Sequence, residues 1–186
     1  MAVLQESPGR DFLRIEALDY SSSTASIEAA RALLLEYGEF VLAVEGPARF
    51  CFGKLEDEVN GLPGTYSKQG GLLLLAWQGG TAAGCVAYRA LSWIPRACEM
   101  KRLWVRPRFR GAQLGERLTL AVLERARAAR YTAVYLDTMP ETMGPAHRMY
   151  RRLGFVECPP FHGSVTPGLV FMRRPLETTA ADDSWC

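Results

Sequence analysis

The stretch Val105-Arg106-Pro107-Arg108-Phe109-Arg110-Gly111-Ala112-Gln113-Leu114-Gly115-Glu116-Arg117-Leu118 decides the fold. A strand over Ala97 to Val105 ends at Pro107, because proline has no N–H to give a ladder. A tight basic turn follows, and then a helix over roughly Gln113 to Arg130. Leu114, Leu118, Ala121, Val122 and Ala129 trace one stripe of that helix. Small residues at 111, 112 and 115 let an anion come close to backbone amides. The helix start adds unsatisfied N–H groups and a positive dipole end. Each charge–dipole contact is worth about 0.3–1 kcal/mol, so several converging amides can hold a diphosphate without a metal. The same spacing also suits a plain Gly-containing strand-to-helix turn with no ligand.

Upstream, residues 11–18 partly alternate and read as a first strand. Thr24 or Ser26 can cap a helix carrying Ile27, Arg31, Leu34 and Val41. A shorter helical piece, Leu55 to Asn60, stops at the turn Gly61-Leu62-Pro63-Gly64. Leu72 to Trp77 and Thr81 to Leu91 form a hairpin around Gln78-Gly79-Gly80, and Ala97 to Val105 extends it to a meander. Downstream, Ala133 to Asp137 is a strand reached by a helical crossover, hence parallel to its neighbour. A helix over about Gly144 to Leu153 stops at Gly154. Two closing strands, near Phe155–Glu157 and Leu169–Arg174, flank the loop Cys158 to Pro167. The tail 177–186 reads as polar and loose, which leaves one domain over 1–176.

The chain has 186 residues, 48% hydrophobic and 23% charged, with a net charge of +2. These values suit one α/β domain. No apolar run reaches the roughly 18–20 residues of a membrane span, and Met1 to Pro8 lacks the marks of a signal peptide, so a cytoplasmic protein is expected. Five scattered cysteines without a Cys-x-x-Cys pair, and only two histidines, argue for core or idle thiols and against a structural metal. Basic residues crowd 101–152, which suggests an anionic ligand. Gly46 to Gly53-Lys54 echoes a Walker loop, but Leu55 stands where a Ser or Thr is needed. A nucleic-acid site on Arg108, Arg110, Arg148, Arg151 and Arg152 fits poorly with the near-neutral net charge.

Val105-x-Pro107-x-x-Arg110-Gly111-x-x-Leu114-Gly115 resembles motif A of the GNAT superfamily of N-acetyltransferases, the pyrophosphate loop for acetyl-coenzyme A. Arg110 and Gly115 keep the pattern, whereas Gln113 stands at its middle glycine. Ala146-His147-Arg148-Met149-Tyr150-Arg151-Arg152-Leu153-Gly154-Phe155 is similar to motif B. Ala146, Tyr150, Gly154 and Phe155 match; Met143 occupies the place of the family's frequent asparagine. The resemblance covers roughly residues 70–175.

It implies a GNAT fold: a mixed sheet of about seven strands, splayed between the fourth and fifth and flanked by about four helices. Acetyl-coenzyme A would sit in the splay, its pantetheine arm along the backbone of Leu103, Trp104 and Val105. Its phosphates would meet Arg110, Gly111, Ala112, Gln113, Leu114, Gly115 and Glu116. The implied reaction is direct acetyl transfer to a primary amine on a small molecule or peptide. No metal, nucleic acid or membrane partner is expected, and a homodimer is compatible with the family. A silent coenzyme A-binding sensor is the alternative.

Gly-x-Ser-x-Gly is absent, so a serine nucleophile is not expected. Tyr150 stands where the family has its general acid, and a phenol of ordinary pKa about 10 keeps a proton for the departing thiolate. Helical packing with Ala146 and Leu153 would also account for it. Glu99 resembles the base position of histone-type members. Strict alternation would put residues 99, 101, 103 and 105 on one strand face. Pairing with Lys101 or Arg102 is the plainer role for Glu99, and Asp137 is an alternative base. Glu56, Asp57 and Glu58 could attract a cationic amine or merely be solvated, and Pro159-Pro160-Phe161-His162 could cover the acceptor.

Overall fold

A computed structural model describes residues 12–46, 52–68, 70–163 and 166–176. The order of elements runs β1 (Leu13–Leu18), α1 (Thr24–Glu45), α2 (Phe52–Asn60), α3 (Gly64–Ser67), β2 (Leu72–Gln78), β3 (Thr81–Ala90) and β4 (Ala97–Val105). After a 3-10 turn at Pro107–Phe109 come α4 (Leu114–Ala128), β5 (Ala133–Thr138), α5 (Gly144–Arg152), β6 (Val156–Glu157) and β7 (Val170–Pro175). The strands form one seven-stranded sheet in the order β1-β2-β3-β4-β5-β7-β6. Only β4 and β5 run parallel; every other neighbouring pair is antiparallel.

The sheet is covered on both sides, which explains why β2 reads as an unbroken apolar run. Leu74, Ala76, Val86 and Tyr88 pack with Leu114, Leu118 and Val122 of α4. Leu73, Leu75, Cys85 and Ala87 pack with Leu33 and Leu34 of α1 and Leu55 of α2. A third cluster, Leu91, Ala97, Phe161 and Phe171, ties the loop after β6 to the sheet. Burying each such large side chain contributes about 1.5–3 kcal/mol.

Ser23, rather than Thr24 or Ser26, caps α1: its hydroxyl accepts from the Ser26 amide at 3.1 Å. The segment Gly61 to Gly64, read as a turn, feeds directly into the single turn of α3, so five α-helices occur among the described residues instead of about four. Residue 11 and the tail 177–186 lie outside the described residues, as does part of the Walker-like stretch. Cys85 and Cys98 are buried, and burial pushes both thiols up to about 12, as expected of core thiols.

Candidate active site

β4 and β5 pair only over Ala97–Glu99 and Ala133–Tyr135, and then diverge. The sheet is therefore splayed where the resemblance implied. Leu103, Trp104 and Val105 lie on the unpaired half of β4.

A bulge corrects the expected alternation along this strand. Between the pairs Cys85–Trp104 and Ala87–Lys101, two steps on β3 face three on β4. Arg102 absorbs the extra residue with φ 60°. Leu103 and Val105 consequently pack on the α4 side with Cys98 and Met100, while Trp104 packs on the α1 side. Glu99 and Lys101 no longer share a face with Leu103 and Val105. A single added residue turns everything after it to the opposite side.

The turn after β4 is built for close approach. Gly111 has φ +87°, where a side chain is strained, and a Cβ there would meet nothing within 4 Å. Gln113 takes the left-handed conformation as N-cap of α4 and gives no side-chain cap. Ala112 lies between them, exposed, and the first amides of α4, from Leu114 to Glu116, have no side-chain cap from Gln113. A Cβ on Gly115 would make only ordinary contacts, 3.8 Å to Met149 Sδ and 3.9 Å to Val105 Cγ2. Packing does not demand glycine at 115.

Other basic groups here are engaged by the protein itself. Arg106 forks onto the Glu36 carboxylate at 2.7–3.1 Å and donates to the Ala82 carbonyl at 2.8 Å. Trp104 donates to the same carboxylate at 3.2 Å. Arg110 donates to the Val105 carbonyl at 3.0 Å and lies 4.9 Å over the Trp104 ring. Glu116 pairs with Arg152 at 3.0 Å.

Tyr150 is buried at 6% exposure beside Phe155. Burial pushes its phenol well above the usual tyrosine value, with Tyr37 and Asp137 adding to the rise. It also lines a cavity of about 230 Å³ together with Tyr37, Val41, Glu99, Lys101 and Asp137. Thr138, 4% exposed, lines the same cavity, and its hydroxyl has no hydrogen-bond partner among the described residues. An orphaned buried hydroxyl costs about 1–3 kcal/mol and suits a ligand's polar atom. Met143 lines the cavity as N-cap of α5, without a side-chain cap.

Three side chains from three segments converge, two of them, Glu99 and Asp137, lining the same cavity as Tyr150. Glu99 accepts from Arg89 Nε at 2.7 Å and lies 4.0 Å from Lys101 Nζ. Asp137 meets His162 Nε2 at 2.7 Å. Donor atoms of Glu99, Asp137 and His162 all lie within 4.8 Å of one another. Two carboxylates and an imidazole could in principle hold a cation, though the Arg89 and His162 contacts already engage both carboxylates.

None of the acidic residues at 56–58 lines the cavity. Glu56 and Asp57 are exposed, and Glu58 binds Arg102 at 2.9 and 3.0 Å, with Tyr66 donating to it at 2.6 Å. Burial opposes the Glu58 charge, but Arg102 and Lys101 outweigh it and hold the carboxyl at about 2. This pair clamps the bulge residue from the α2 side. Tyr37, Thr138 and the partnership of His162 with Asp137 escaped the sequence reading. Tyr37 looked like part of an ordinary helix, and nothing in spacing links 137 to 162.

The family model for the acetyltransferase (GNAT) family matches residues 29–155. An N-acetyltransferase of Schizosaccharomyces pombe, itself uncharacterised, is 37% identical over 126 residues, covering 67% of this chain and 76% of the relative. The IAA acetyltransferase of Azospirillum brasilense is 35% identical over 114 residues, covering 60% of this chain and 72% of the relative. Among solved structures, a GNAT acetyltransferase from Staphylococcus aureus superposes with TM-score 0.70 at 17% identity, covering 89% of this chain and all (100%) of that one. The yncA structure of Salmonella typhimurium with its cofactor acetyl-CoA gives TM-score 0.62 at 18% identity, covering 94% and 99%. The chain belongs to the GNAT family and is an acetyltransferase.

Proposed function

We propose that this enzyme transfers acetyl from acetyl-coenzyme A directly to a primary amine in a ternary complex. The observation that carries the reading is the β4–β5 splay, with Tyr150, Glu99 and Asp137 lining one cavity there. Acetyl-coenzyme A supplies the reactive thioester. The residues fit it: the amides after Gln113 and the small positions 111, 112 and 115 suit its diphosphate, and the Thr138 hydroxyl suits a polar atom in the splay. Leu103, Trp104 and Val105 offer main-chain groups to an extended arm, and Arg110 adds positive charge at the mouth.

Glu99 takes the proton that an ammonium must lose before its nitrogen can attack. For a lysine-type amine at pH 7 that deprotonation costs about 4.6 kcal/mol, against about 1–1.4 kcal/mol for an α-amine. Tyr150 donates a hydrogen bond to the sulfur as the C–S bond breaks. Its raised pKa keeps it protonated throughout. Complete transfer from a phenol to a thiolate is uphill by at least about 2 kcal/mol, so Tyr150 stabilises the leaving charge more than it quenches it. No helix among the described residues is long and apolar enough to cross a membrane, in keeping with a cytoplasmic enzyme.

The test is thermal unfolding with and without acetyl-coenzyme A, followed by thiol release with an amine panel. Saturation at 100 times Kd adds about 2.7 kcal/mol of stability, several degrees in a domain of this size. A shift with thiol release supports the reading. A shift without release across the panel favours a silent coenzyme A-binding domain, and no shift removes the reading altogether.

A further inference from the structure

Thr138 is buried and its hydroxyl has no hydrogen-bond partner among the described residues, yet the residue borders the cavity in the β4–β5 splay. A hydroxyl orphaned away from water is unfavourable, and a valine of the same shape would avoid the cost. A threonine at such a place is explained by a partner that comes and goes.

The strand register fixes the face on which Thr138 lies. β5 pairs with β7 without a break as far as Thr138 and Val170. Val170 and Leu136 pack in the cluster on the α4 side, and Tyr150 belongs to that cluster too. Residues opposite each other on neighbouring strands share a face, as do residues two apart on one strand, so Thr138 lies on the α4 side. Asp137 stands opposite Phe171, which packs in the separate cluster with Phe161, so its carboxylate is on the other face. Along β4, Cys98 and Met100 pack on the α4 side, and Glu99 between them turns to the other face as well. The cavity borders Thr138, Tyr150, Glu99 and Asp137 alike, and so it runs through the plane of the sheet. Both carboxylates approach it from one face, and Thr138 and Tyr150 from the other.

We propose that Thr138 donates a hydrogen bond to the carbonyl oxygen of the bound thioester. The inference rests on the transfer reading above and adds a donor to it. In that reading the main chain of Leu103 to Val105 serves the amides of the extended arm, and Tyr150 serves the sulfur. The thioester oxygen, bonded to the same carbon as that sulfur, is the polar atom left without a donor. One staggered step about χ1 exchanges the hydroxyl and methyl of a threonine, so the hydroxyl can turn to the cavity without moving the backbone. As the acceptor nitrogen attacks, the C–N bond forms and one electron pair of the C=O bond moves onto the oxygen. When that pair returns, the C–S bond breaks and the thiolate leaves with its electrons, while the acceptor's proton goes to Glu99. Thr138 keeps its own proton throughout, and its hydrogen bond is strongest when the oxygen is most negative.

Calorimetric titration of the full chain with acetyl-coenzyme A and with coenzyme A reads this contact without any acceptor, because coenzyme A lacks the thioester carbonyl. The parent is compared with Thr138→Val and Thr138→Ser. Thr138→Val is expected to bind acetyl-coenzyme A roughly 3-fold to 10-fold more weakly, with coenzyme A unchanged, and Thr138→Ser to bind both as the parent does. Without ligand the Tm of Thr138→Val should hold or rise, since an orphaned hydroxyl has been removed. With an amine that the parent turns over, kcat of Thr138→Val should fall about 100-fold, and Thr138→Ser should keep most of it. Equal weakening of both ligands puts the hydroxyl on the arm instead of the thioester and overturns the proposal, as does unchanged binding and turnover of acetyl-coenzyme A. A Tm that falls further in Thr138→Val than in Thr138→Ser gives the hydroxyl a partner inside the protein and overturns it too. A parent that binds acetyl-coenzyme A but acetylates no amine defeats the transfer reading alone, because the difference between the two ligands still tests the carbonyl contact.

Discussion

The two sides of the β4–β5 gap are made in different ways. The surface proposed for the cofactor is one continuous stretch from Leu103 to Glu116, and it offers backbone groups: an unpaired strand half, a left-handed Gln113 and the start of α4. The surface proposed for the acceptor gathers the side chains of Tyr37, Glu99, Asp137 and His162 from α1, β4, β5 and the loop after β6. A backbone surface accepts nearly any sequence that keeps its turns and small residues. A side-chain surface depends on four elements holding their relative positions within a fraction of an ångström. The first kind of surface suits a ligand shared across a family, and the second suits an acceptor peculiar to each member.

The sharpest way to break this contrast is at Glu58, which touches both sides through the bulge. Glu58→Gln leaves Arg102 buried without its carboxylate and should cost about 3–5 kcal/mol of stability. Thermal unfolding would read this as a fall of roughly 6–20 °C. The parent's pH dependence should carry the same signature. Glu58 is held at about 2 against an ordinary 4.5. Its contribution is therefore complete above pH 4.5 and is lost as the pH falls from there towards 2. A parent whose stability is flat across that window would show that the bulge is not clamped this way.

Tyr150→Phe removes the proposed donor to the leaving sulfur while keeping the ring packed on Phe155. We expect kcat to fall about 100-fold, with KM for acetyl-coenzyme A nearly unchanged. Loss in KM alone would assign Tyr150 to packing and cofactor binding.

Glu99→Gln should lower turnover of a lysine-type amine by roughly 10-fold to 50-fold at pH 7 and recover as the bulk amine deprotonates at high pH. An equal loss at all pH values would remove Glu99 as base. The smallest effect belongs to Gly115→Ala. The methyl fits the protein and improves helix propensity by about 1 kcal/mol, so Tm should hold or rise. KM for acetyl-coenzyme A should nevertheless rise several-fold, because the amides of α4 can no longer be approached as closely. A fall in Tm with KM unchanged would place the role of Gly115 in packing.

Most of the fold was legible because its signals are local. The apolar runs at 72–78 and 81–90, the proline at 107 and the glycines around 111 and 154 each act within a few residues, so β2, β3, β4, α4 and α5 fall close to where the sequence puts them. The parallel pairing of β4 with β5 followed from the handed crossover through α4. The place of Tyr150 on α5 was legible for the same reason, since its motif spans one helix. The bulge at Arg102 was not, because its cause lies in Glu58 and Tyr66, more than thirty residues upstream on α2 and α3. Strict alternation then misassigned the face shared by Glu99 and Val105. Glu58 itself looked like one more solvated acid, and only its partner shows otherwise.

The sequence alone determined the family, the strand-turn-helix from β4 into α4 and the place of Tyr150 on α5, because each depends on contacts within a short span of chain. Only the tertiary structure decided which carboxylates line the slot, that Glu58 is scaffold and that His162 meets Asp137. Those choices depend on where separate elements cross, and that crossing is set by packing on both faces of the sheet rather than by any local pattern.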